Sequence, residues 1–126
     1  MSTEFFTQQD LVHIVSEIGL DRIMDDTIEG LTDTLTAFDP DTHLTPVRDG
    51  FSYEKPQVGL LEWMPAMKSG EAITIKMVGY HPTNPAQRGV PTILSTVLCF
   101  DVASGHLRAV IDGHFLTAIR TGAASA

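Results

Sequence analysis

KMVGYHPTNPAQRGVPT, residues 76–92, carries the chain out of one strand, through a polar loop and into the next strand. Lys76 lies in Ala72-Ile73-Thr74-Ile75-Lys76-Met77-Val78, whose period-two alternation reads as a strand. Pro82, Pro85 and Pro91 punctuate the loop. Thr92 to Val102 then reads as a longer, continuously apolar strand, which predicts cover on both of its faces. Working outward, Val58 to Met64 is a strand joined to the first by a turn around Lys68-Ser69-Gly70-Glu71. On the far side Ala103-Ser104-Gly105-His106 is a hairpin turn, and Leu107 to Ile111 returns from it. Asp112-Gly113 ends that strand before FLTAIRTGAASA, residues 115–126, a helix of small residues. It lacks the Gly, Asn or basic last turn that usually closes a helix. The chain is therefore expected to be part of a larger protein and to carry half of an active site.

Upstream of the strands the period is helical. Thr7 and Asp10 form a capping pair, Leu11, Val12, Val15 and Ile18 recur at helical spacing, and Gly19 is placed to stop the helix. Asp21 opens a second helix with Ile23, Met24, Ile28, Leu31, Leu35 and Phe38 along one face, until Asp39-Pro40-Asp41 stops it. The acids Glu17, Asp21, Asp25, Asp26, Glu29 and Asp33 read as a solvated face. Two helices followed by a run of strands predict an α+β domain whose mixed, largely antiparallel sheet is covered by the N-terminal helices.

A chain of 126 residues, 43% hydrophobic and 19% charged, has room for one domain with a core. Its net charge of -8, from 16 acidic and 8 basic residues, argues against nucleic acid or an anionic membrane as the main partner. A small anion at a local positive site is not excluded. Cys99, the single cysteine, sits in an apolar run and reads as a small buried side chain. With no internal disulfide possible, and a polar, acidic start unlike a signal peptide, a cytoplasmic setting is expected.

Few residues stand out chemically. Lys76 shares a strand face with Thr74 and Val78, so it either snorkels to solvent or presents a partly desolvated ammonium able to pair a carboxylate or exchange a proton. Arg120 either reaches solvent past its small neighbours or offers its planar fork to a carboxylate or phosphate, with the Thr121 hydroxyl beside it. Arg48, next to Asp49, reads as a surface ion pair; Glu62 is an acid within an apolar strand. His13, His43, His81, His106 and His114 have no metal-like spacing, and no Gly-x-Gly-x-x-Gly or phosphate-loop pattern occurs.

Taken together, Glu62-Trp63-Met64-Pro65, the run from Lys76 to Pro85, Arg88-Gly89-Val90-Pro91-Thr92, Asp112-Gly113 and Leu116 to Ser125 resemble the ornithine cyclodeaminase/mu-crystallin family. The resemblance covers about residues 42–126. It implies that residues 1–126 are the N-terminal part of a substrate-binding and dimerisation domain, cut just before a Rossmann domain that binds NAD or NADP. It implies a small amino-acid substrate whose carboxylate is held by Arg48, Lys76 and Arg120. It also implies catalytic positions for Lys76 and Glu62, and cofactor contacts at Thr92, Arg120 and Thr121. The reaction implied is hydride transfer from the α-carbon to the nicotinamide, giving an imine. In a cyclodeaminase ammonia then leaves, the side-chain amine closes a ring and the hydride returns, turning ornithine into proline. The family also implies alternatives: an amino-acid dehydrogenase, a ketimine reductase, or a non-enzymatic ligand-binding protein. It implies a homodimer, and no turnover from this segment alone.

Overall fold

The computed structural model describes residues 1–126, and its elements follow the order of the sequence. They are β1 (Glu4–Phe6), α1 (Gln8–Ile18), α2 (Leu20–Thr36), β2 (His43–Leu44), β3 (Asp49–Tyr53) and β4 (Gly59–Lys68). Then come β5 (Ala72–Tyr80), α3 (Asn84–Arg88), β6 (Ile93–Asp101), β7 (Leu107–Asp112) and α4 (Gly113–Ala124). The seven strands form one mixed sheet in the order β1-β7-β6-β5-β4-β2, with β3 also paired to β4. Only the β1–β7 pair is parallel. The α+β architecture read from the sequence is the one observed.

Local chemistry explains the helical start. The Thr7 hydroxyl accepts the Asp10 N–H at 3.3 Å, and the Asp10 carboxylate accepts the Thr7 N–H at 2.7 Å. Gly19, at φ +92, ends α1 and begins α2 in one residue, so the second helix opens at Leu20 and Asp21 falls in its first turn. A left-handed backbone of this kind is open to glycine and strained for other residues. Ile23, Met24, Ile28 and Leu31 are half-buried, whereas Leu35 is 74% exposed; Phe38, expected on the same helix, lies beyond its end at Thr36 and is 52% exposed. The apolar stripe of α2 therefore outruns its cover. Glu17, Asp21, Asp25, Asp26, Glu29 and Asp33 are all exposed, as expected, and so is the capping Asp10.

Helices α1, α2 and α4 share one side of the sheet. Helix α4 packs on β6, α2 packs on α4, and α1 touches β1. Small residues in α4 permit this closeness: a Cβ on Gly122 would stand 3.4 Å from the Met24 methyl. Opposite the helices the sheet is bare. Alternation and register place Leu61, Trp63, Ile73, Ile75, Leu98 and Phe100 on that face, with Phe51 set edge-on to Trp63 at 5.4 Å and 65% exposed. Only 8 of 126 residues are buried, so this chain does not by itself cover both faces of β6 as its composition predicted.

Three short strands and one helix were not apparent in the sequence. β1, β2 and β3 have too few residues for a clear period. α3 lies inside the stretch read as a loop, with Pro85 in its first turn and Gly89 at φ +65 closing it.

Candidate active site

The register of the central strands decides which side chains converge. Met64 pairs with Lys76, and Lys76 pairs with Val97, so all three point to the helical side of the sheet. Above them Thr117 and Arg120, three residues apart on α4, look down from one helix face. Arg48, just before β3, closes the side where Asp49 pairs with Trp63. The space between is an open cavity of about 630 Å³, a size suited to a small ligand.

Of the residues singled out in the sequence, Arg48, Lys76, Arg120 and Thr121 line this cavity together. Glu62 and Thr92 do not. Glu62, half-buried, lies two residues before Met64 on the same face of β4 and pairs with Val78, which sets it diagonally beside Lys76. Thr92 precedes β6 and uses its carbonyl to accept the His81 N–H at 2.8 Å. It lies five residues from Val97, roughly 16 Å along an extended strand.

The cavity is positive inside an acidic chain. The ion pairs of the molecule are Arg22–Asp26 and Lys68–Glu71, both on the surface, and none of the three cavity cations takes part in one. Arg48 and Arg120 are exposed, whereas Lys76 is half-buried. Burial lowers the pKa of the Lys76 ammonium, and the Arg120 guanidinium lowers it further. An ammonium that is partly desolvated and faces a like charge is stabilised by any anion that enters. An unpaired guanidinium also keeps its planar fork of donors for a carboxylate or a phosphate. Arg120 thus fits either a substrate carboxylate or a cofactor phosphate. The Thr121 hydroxyl donates to the Thr117 carbonyl at 2.7 Å, leaving its oxygen to accept but not to donate.

The surface-pair reading of Arg48 does not hold. Asp49 instead accepts the Gly50 N–H at 2.8 Å and pairs with no cation. Cys99 is half-buried, and burial pushes its thiol upward against the pull of Arg108, away from a reactive thiolate. No three His, Cys, Asp or Glu side chains gather to hold a metal ion, and no helix is long and apolar enough to cross a membrane.

Sequence reasoning missed the cavity threonines Thr45, Thr74 and Thr117. Two carried a usable signal, since Thr74 is two residues from Lys76 on a strand and Thr117 three from Arg120 on a helix. It also missed a pair at the other end of β5. The Tyr53 hydroxyl and His81 Nε2 are 2.6 Å apart, beside buried Gly59, where a Cβ would meet both rings at 2.5 and 2.7 Å.

Residues 8–126 match the sequence model of the Ornithine cyclodeaminase/mu-crystallin family. The L-lysine cyclodeaminase of Streptomyces rapamycinicus is 35% identical over 127 residues, covering all of this chain and 37% of that protein. Among solved structures, the fold superposes on a lysine cyclodeaminase described as recognising L-lysine, L-ornithine and L-2,4-diaminobutyric acid. The TM-score is 0.92 at 44% identity, over 99% of this chain and 37% of that one. An archaeal alanine dehydrogenase dimer with bound NAD gives 0.79 at 28% identity, over 98% and 35%. The chain spans little more than a third of the length of each of these proteins.

Proposed function

The chain belongs to the ornithine cyclodeaminase/mu-crystallin family, and we propose that it forms the substrate-facing part of an NAD(P)-dependent cyclodeaminase acting on a small diamino acid. Ornithine going to proline and ammonia is the reaction proposed, with lysine its one-carbon-longer homologue. The observation that carries this reading is the set of unpaired cations, Arg48, Lys76 and Arg120, in one cavity of an acidic chain. Every reaction of this class requires the amino-acid carboxylate to be held so that the α-hydrogen points in one direction.

Each residue has a role in that proposal. Lys76 and Arg120 grip the carboxylate from the sheet and the helix, and Arg48 closes on it from the rim. Glu62, on the same strand face as Met64, lies toward the reacting end, where it takes or returns a proton. Met64, Val97 and Leu116 give the cavity an apolar wall that sheds water around the substrate. Bound NAD or NADP supplies the hydride acceptor. Its main site is proposed to lie in a Rossmann domain following residue 126, because these residues contain no glycine-rich phosphate turn. Arg120, Thr121 and Thr92 are proposed as the contacts made from this side.

The bare apolar sheet face supports a homodimer in which a second copy provides the missing cover. A second reading, an amino-acid dehydrogenase, is supported by the likeness to the alanine dehydrogenase dimer with NAD. Incubating the full-length gene product with NAD and a panel of amino acids, while following ammonia and NADH, separates the two. Ammonia from ornithine or lysine without net NADH supports the cyclodeaminase, whereas NADH accumulating with alanine supports the dehydrogenase. Silence on both with cofactor bound would leave the scaffold as a ligand-binding protein.

A further inference from the structure

Helix α4 follows β7 with no loop between them. Asp112 closes the strand and caps the helix, its carboxylate accepting the His114 N–H at 3.0 Å. The next residue, Gly113, is buried against β6, where a Cβ would stand 2.3 Å from Ser95 Oγ and 2.9 Å from the Ser95 carbonyl carbon. Glycine is needed here for the closeness of two backbones. One turn further on the helix meets the same serine again, with Ser95 Oγ and Thr117 Oγ1 3.1 Å apart. Ser95 is 8% exposed and lies outside the cavity. The Thr117 carbonyl accepts the Thr121 hydroxyl at 2.7 Å, a bond internal to α4, so the contact with Ser95 is the one that joins this turn to the sheet. Arg120 lies within this tethered turn.

Apolar packing holds α4 through Ile119 and Ala123, its two buried apolar side chains, while Ala118, Gly122 and Ala124, all exposed, are small and interlock little. The like charges of Lys76 and Arg120, with Arg48 nearby, also push the empty cavity apart. Glu62 on β4 is the acid nearest to Lys76 in register, and the two form no ion pair. A directional bond between the buried Ser95 hydroxyl and the half-buried Thr117 hydroxyl can hold one rotation of the helix against that repulsion.

We infer that Ser95 and Thr117 are positioning residues, whose hydrogen bond fixes the rotation of α4 on β6 and so places Arg120 opposite Lys76 before any ligand arrives. This rests on the carboxylate-clamp reading above. Its geometric half stands separately, because it concerns the spacing of two cations in the empty protein.

The test uses the full-length gene product and the variants Ser95→Ala, Thr117→Val and Thr117→Ser. One readout is the split between KM and kcat for the amino acid. The other needs no substrate: the pH dependence of acetic anhydride labelling at Lys76, followed by mass spectrometry. Losing the hydroxyl pair should raise KM by about tenfold, the size of one weakened charge-assisted bond, with less effect on kcat. It should also move the Lys76 labelling midpoint upward, as Arg120 drifts away. Thr117→Ser keeps the hydroxyl and should return both values close to those of the unsubstituted protein. A wild-type midpoint and KM in Ser95→Ala and Thr117→Val overturns the inference, as does a Thr117→Ser variant that behaves like Thr117→Val. Should Thr117→Val fail to fold, Ser95→Ala, which only removes an atom, decides alone. If the unsubstituted protein binds no amino acid, the clamp reading fails, while the labelling midpoint still tests the placement of Arg120.

Discussion

Lys76 on β5 and Arg120 on α4 face each other across one cavity, and neither has an acidic partner. The sheet register turns the lysine toward the helices, and a helix of small residues comes near enough to bring the arginine over it.

Substituting either cation tests the clamp. Lys76→Met and Arg120→Ala in the full-length protein should each lower kcat/KM by well over tenfold, from losing charge-assisted bonds of about 1.5–3 kcal/mol. Arg48 is exposed at the rim, so Arg48→Ala should cost less than either. Steady-state kinetics check the order, and near-unchanged values for Lys76→Met would make that residue structural.

The depressed pKa of Lys76 sets a pH dependence. In the proposed clamp the carboxylate needs the protonated amine, so affinity should fall as pH rises through the lowered value of the free protein. Arg120→Met removes the like charge and should shift that fall to higher pH. Between the folded pKa and the ordinary 10.5, the unfolded chain holds more protons than the folded one. Lys76 therefore makes stability rise with pH in that window, opposite to the usual lysine that gains an acidic partner. Calorimetry in two buffers of different ionisation enthalpy should record proton uptake on binding at alkaline pH; no uptake would mean that Lys76 does not meet the ligand.

How much was legible follows from which interactions are local. The Thr7–Asp10 cap, the glycine stop at Gly19, the long strands and the hairpin at Ala103 to His106 depend on neighbours in sequence, and all were readable. Lys76 and Arg120 were readable as unusual residues, but their juxtaposition depends on strand register and on the approach of α4, which no single segment encodes. Thr117 and Ser95 were invisible for the same reason: a hydroxyl in a helix or strand looks ordinary until its partner is known. α3 was passed over because three prolines dominate its surroundings, although Pro85 and Gly89 mark its two ends.

Gly59 reports on the second cluster. Gly59→Ala forces a methyl into the Tyr53 and His81 rings, and such overpacking costs about 1–3 kcal/mol. Tyr53→Phe loses a single hydrogen bond, about 1 kcal/mol. Denaturant melts should rank Gly59→Ala as the more damaging; the reverse order would show that the ring pair yields freely.

The bare sheet face predicts self-association. Placing a charge at its centre with Leu98→Glu should reduce the solution mass of the full-length protein to that of a monomer, read by light scattering. An unsubstituted protein that already runs as a monomer would leave the apolar face to another cover.

The most direct test of the central claim compares an amino acid with its decarboxylated counterpart. The full-length protein, loaded with NAD, is titrated by calorimetry with L-ornithine and with the corresponding diamine. The account predicts binding of ornithine, none of the diamine, and loss of ornithine binding in Lys76→Met. Equal binding of the diamine would contradict it, because the cations of this cavity would then have no carboxylate to hold.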